Sequence, residues 1–82
     1  MTANIDTFTA ERAAYYCAAD AVTAELVKLG EGAERDAAMW RRLVVGAEVG
    51  EALHAGDYIA AERLFAALHV ELVELVAEAV AA

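Results

Sequence analysis

Three stretches of the chain repeat apolar residues with helical periodicity, and glycines separate them. The third stretch is the plainest. Tyr58, Ala61, Phe65, Leu68, Leu72, Leu75 and Ala79 recur at alternating spacings of three and four, the pattern of a helix seam packed on a neighbour. Ile59, Ala66, His69, Val73, Val76 and Val80 form a second stripe beside it, leaving a narrow polar face at Arg63, Glu71, Glu74 and Glu78. The first stretch offers Phe8, Tyr15, Ala19, Val22, Leu26 and Leu29 as its seam, with Ala13, Ala14 and Ala18 permitting close approach. The second offers Met39, Leu43, Gly46, Gly50 and Leu53, flanked by Trp40, Val44 and Ala47.

Helix boundaries follow from the breakers and caps. The first helix is expected to begin at Asp6 or Thr7, either able to accept from the free amides of a first turn, and to end at Leu29 with Gly30 as a left-handed stop. The second is expected from Ala33 to His54 or Ala55, with Glu34 and Asp36 near the positive end of its dipole and Gly56 closing it. Asp57 is the natural N-cap of the third, which runs from Tyr58 to about Val80 with no further breaker. The predicted architecture is therefore all-α and a single domain over residues 1–82: three long helices, 6–29, 33–55 and 58–80. Connections this short force consecutive helices to lie antiparallel.

The third helix carries more apolar surface than two companions in a three-helix monomer need to cover. The expected remedy is a bundle completed by dimerisation, since two-fold homodimers are the commonest oligomers. The residues expected at such an interface are Ile59, Phe65, Leu68, Leu72, Val73, Leu75, Val76 and Val80, with Gly46 and Gly50 allowing another backbone to come near.

Composition supports helix and narrows the partners. The 82 residues are 61% hydrophobic but only 7% aromatic, so the apolar content is chiefly Ala, Val and Leu, and no proline interrupts it. A net charge of −8 disfavours nucleic acid and anionic membrane surfaces, both of which are held by Lys and Arg. Beyond Arg63 there are acids but no Lys or Arg, so a basic protein partner suits the charge better. Charges break every apolar run before it reaches the length of a membrane span, and residues 1–10 lack the basic and apolar regions of a signal peptide. Cys17 is the single cysteine, which rules out an intrachain disulfide and points to the reducing cytoplasm. Abundant Ala and Val, with Arg outnumbering Lys, suggests a small bacterial or phage protein.

Few residues offer chemistry. Glu51 and His54 form a Glu-x-x-His pair one turn apart, and antiparallel counting brings Glu11 and Glu62 to a similar level. This resembles the small ferritin-like proteins, a resemblance confined to Glu51, His54 and Glu11, and it implies a metal-binding bundle completed by dimerisation. Arg63 and His69 resemble, in spacing alone, the paired Arg and His of a class of helical prokaryotic nucleases. The stretch from Gly56 to Phe65 is similar to the turn and second helix of a tetratricopeptide unit, where glycine stops one helix and an aromatic staples the corner. Cys17 and His69 have no third residue to orient the imidazole and no oxyanion loop, so no catalytic residue is assigned and no cofactor is expected. Trp40, Arg41 and Arg42 together form a candidate contact for an acidic partner. The leading expectation is a non-catalytic protein–protein interaction module, an oligomeric adaptor, inhibitor or regulator. The alternatives are the ferritin-like metal site and a structural subunit of a larger assembly.

Overall fold

In a computed structural model, which describes the backbone of residues 2–81 and side chains from residue 9 to 81, the chain forms three helices: α1 (Thr2–Lys28), α2 (Ala33–His54) and α3 (Tyr58–Ala81). The starts of α2 and α3 are those the sequence predicts. The corner between them shows why. Gly56 takes φ 76°, and its amide donates to the Leu53 carbonyl at 3.0 Å while the Asp57 amide donates to the Ala52 carbonyl at 2.8 Å. These two bonds close the end of α2 in a left-handed turn that favours glycine. One residue on, the Asp57 carboxylate accepts from the Ala60 amide at 3.0 Å and caps α3.

The end of α2 at His54 is also the predicted one, whereas the two ends of α1 depart from expectation. Helix α1 starts at Thr2, ahead of the predicted cap at Asp6 or Thr7, because nothing between Thr2 and Thr7 breaks a helix once it is formed. The side chains of Asp6, Thr7 and Phe8 lie outside the described residues. Gly30 does not supply the left-handed stop. Among the described residues only Gly32 and Gly56 have positive φ, and it is Gly32, at φ 145°, that turns the chain into α2. The turn is thus made at the entry to the second helix, with Leu29 still bonded back to Leu26 at 3.2 Å.

Helix α3 lies between the other two and packs along both, whereas the backbones of α1 and α2 come close at few points. That central place accounts for much of its broad apolar girth. Ala61, Phe65, Leu68 and Leu72 are buried within the chain, together with Val22 and Leu26 of α1, Leu29 just beyond it, and Ala38, Val45 and Val49 of α2. The α3 seam is therefore the predicted one. Phe65, Leu68 and Leu72, expected at an interface between chains, are instead part of the chain's own core.

Phe65 is where the three helices meet. The Tyr15 ring of α1 stacks on it, centroids 5.9 Å apart at 17°, and the Arg42 guanidinium of α2 sits 5.2 Å from its centroid. Tyr15 also packs at 5.9 Å from Tyr58, at the start of α3. Since α1 and α3 run parallel, the turns of α1 before Tyr15 extend past the beginning of α3. The molecule is accordingly long, 52 × 20 × 15 Å, with a radius of gyration of 14.4 Å against about 12 Å for a compact chain of this length.

The inward face of α2 is the largest correction. Met39, Leu43, Gly46 and Gly50 do not face the core. The buried row is Ala38, Val45 and Val49, with Ala52 beside it, roughly a quarter-turn of the helix away. Two apolar rows compete on this helix, and the inner one contains Arg42, which counts against it by hydrophobicity. The Phe65 ring face removes that objection by receiving the guanidinium. Small side chains in the same row let α2 approach α3 closely.

Candidate interaction surface

Rotation of α2 puts its large apolar side chains outside. Trp40 and Leu43 are 67% and 62% exposed, and Met39 and Val44 flank them at 42% and 40%. They lie in the first half of α2, on the side turned away from Ala38, Val45 and Val49. The neighbouring arginines do not make this a cationic patch. Arg41 donates from Nε and Nη2 to the two carboxylate oxygens of Glu71 on α3, at 3.2 and 3.0 Å, and Arg42 is turned onto Phe65. The hydrogen bond and the charge of Glu71 raise the Arg41 pKa above its ordinary value. The apolar and aromatic side chains in the first half of α2 therefore stand beside one exposed, ion-paired arginine, Arg41, while Arg42 is directed into the chain.

A second apolar face lies on α3, away from its seam. Ile59 and Val73 are about half exposed, Val70 more so, and Val80 is 81% exposed. Leu75 and Val76, expected with them, are partly buried against the core. Val70 was missed by the sequence reading, although it lies on the same row, four residues after Ala66 and three before Val73.

The expected glycine contacts are absent within the chain. A Cβ on Gly50 would meet nothing within 4 Å, and one on Gly46 would meet only the Arg42 guanidinium, at 3.1 Å. Neither glycine admits a neighbouring helix of the same chain.

Residues with chemical potential are dispersed. Glu51 and His54 are exposed, and Glu11 and Glu62 are half-buried. Among the described residues no three His, Cys, Asp or Glu side chains come together as a metal site, so the four do not converge as the antiparallel count suggested. The count failed because α1 and α3 diverge in level: Tyr15, not Glu11, reaches the start of α3. Cys17 is exposed on α1 and His69 half-buried on α3. A hollow of ≈ 470 Å³ at the α1–α2 connection, bordered by Gly30, Gly32, Val76 and Val80, is lined on its charged side by Lys28, Glu31 and Glu34 and holds no histidine or cysteine.

One polar residue was missed. Glu25 is 7% exposed, and its carboxylate accepts from Lys28 Nζ at 2.7 Å. The three-residue spacing of Glu25 and Lys28 signals a pair on one face, but nothing in the sequence signals that the acid is covered.

No helix among the described residues is long and apolar enough to cross a membrane. No protein-family model, curated protein or solved structure matches the chain, so its functional reading rests on the geometry above.

Proposed function

We propose that this chain is a non-catalytic, self-associating helical interaction module that acts in the cytoplasm as an adaptor, inhibitor or regulator. The observation that carries the reading is the pair of outward apolar faces, one on α2 around Trp40 and Leu43 and one on α3 from Ile59 to Val80. Scattered apolar residues are ordinary on any surface, but rows of them along two long helices are not. The accessible surface is 5521 Å², above the roughly 4,700 Å² of a compact monomer of this mass. The exposed side chains of these two faces contribute to that excess.

With a net charge of −8 and the exposed Glu74 and Glu78 beside the α3 face, a further partner would be a basic protein. Because the two faces look outward from different helices, a structural subunit joined at both is the second reading, and it predicts large particles in place of a closed dimer. Sedimentation velocity over a wide dilution series tests both. A concentration-dependent step between one and two chains supports the module, continuous growth supports the subunit, and a single-chain species at every concentration removes both.

A further inference from the structure

We infer that the outer face of α3 is a two-fold interface on which a second copy of this chain docks its own α3 in the antiparallel direction. The inference rests on the self-association just proposed and specifies its surface, register and polarity.

The face has a regular spacing. Ile59, Ala66, Val70, Val73, Ala77 and Val80, with Arg63 between the first two, succeed one another by alternating steps of four and three over the length of the helix. This is the repeat of a helix seam, and it lies outside the chain's own core. The residues are β-branched or small, so two such rows can interlock closely.

Charge sets the direction. Arg63 occupies a seam position and is exposed, as are Glu74 and Glu78 farther along. The ion pairs found among the described residues are Lys28 with Glu25 and Arg41 with Glu71, so neither Arg63 nor Glu74 is engaged in one. In a parallel pairing the two Arg63 side chains would face each other across the seam, like charges in a contact that excludes water. In the antiparallel register that preserves the seam layers, Ile59 lies against Ala77 of the second copy, Ala66 against Val70, and Arg63 against Val73 and beside Glu74. Two-fold symmetry makes that Arg–Glu pairing twice.

Shape agrees with this register. A hollow of ≈ 400 Å³ opens beside Ile59 and Arg63, floored by Ala60, Leu64 and Ala67, with Asp57 at its end. Val80 of the second copy, the most exposed large apolar side chain among the described residues, arrives at the Asp57 end of that hollow. The exposed parts of Ile59, Val70, Val73 and Val80 come to roughly 400 Å² per chain. With the alanines and the stems of Arg63 and Glu74 covered as well, the pairing buries on the order of 600–800 Å² per chain, within the range of stable interfaces.

The test uses the full-length chain in a Cys17→Ser background, since Cys17 is exposed and would itself cross-link. Ile59→Cys and Ala77→Cys variants are prepared separately, mixed in equal amounts and oxidised. The antiparallel register predicts a disulfide between the two different variants and little in either alone, because two residues 59 would then be about 27 Å apart along the seam. Efficient cross-linking of Ile59→Cys to itself would overturn the polarity, and no cross-linking in any mixture would overturn the interface. In parallel, Val70→Glu is expected to weaken dimerisation by on the order of a hundredfold while leaving helicity intact, and Leu43→Glu on α2 to leave it unchanged. Loss of the dimer with Leu43→Glu but not Val70→Glu would place the contact on α2 and refute the inference. A wild-type chain that never dimerises fails the broader reading as well, whereas a dimer with the wrong cross-links fails this inference alone.

Discussion

Replacing Phe65 by alanine removes a side chain that touches both of the other helices, through Tyr15 of α1 and Arg42 of α2. Phe65 is 2% exposed, so the substitution forfeits nearly its whole ring, a loss of about 3–5 kcal/mol once the residual cavity is counted. The Tyr15 stack and the Arg42 guanidinium above the ring go with it, each adding about 1 kcal/mol. An 82-residue chain is expected to hold only about 4–12 kcal/mol in all. Phe65→Ala should therefore sit at or near the edge of unfolding at room temperature. The assay is urea unfolding followed by far-ultraviolet circular dichroism, at one fixed protein concentration because self-association adds to apparent stability. Val27→Ala, at a side chain 73% exposed, is the control and should change stability by less than about 0.5 kcal/mol. A loss below about 2 kcal/mol for Phe65→Ala would show that the three helices do not converge on this ring.

Two local substitutions probe the helix ends and the open face of α2. Asp57→Ala deletes the carboxylate that accepts from the Ala60 amide, and should cost about 1 kcal/mol in the same unfolding assay; no change would mean that the cap is not formed. Gly50→Ala places a methyl group where nothing lies within 4 Å and should stabilise the helix by about 1 kcal/mol, raising Tm by several degrees. A fall in Tm would show that another backbone does approach Gly50.

Local signals along the chain are strong where one residue type has one way to act. Gly56 followed by Asp57 stops one helix and starts the next, and both act as their chemistry predicts. The α3 seam is equally legible, because four core positions fall on one unbroken row. Helix α2 is harder to read since its wrong face is the greasier one. Trp40, Leu43 and Met39 outweigh Ala38, Val45 and Val49 by size, and only the aromatic ring across the core shows why Arg42 belongs on the inner row. Gly30 and Gly32 stand two residues apart, and which of them turns left-handed depends on how α1 and α2 diverge, a tertiary matter. The proposed metal cluster depended on helix level, and levels shift by whole turns when a helix such as α1 runs past its neighbours.

Among the candidate surfaces, Ile59, Val73 and Val80 could be read from periodicity alone, and the structure leaves them outward. Phe65, Leu68 and Leu72 fall on the neighbouring row, but the sequence does not say which of the two rows faces another chain. Both sets are apolar at helical spacing, and only the position of α3 between two neighbours assigns one set inward and the other outward.

The absolute mass of the wild-type protein, by multi-angle light scattering behind size exclusion, bears most directly on whether these outward faces are made to be covered by another copy. The account predicts a species of twice the 8.7 kDa chain mass. A sole species of one chain mass, persisting at high concentration, would contradict it.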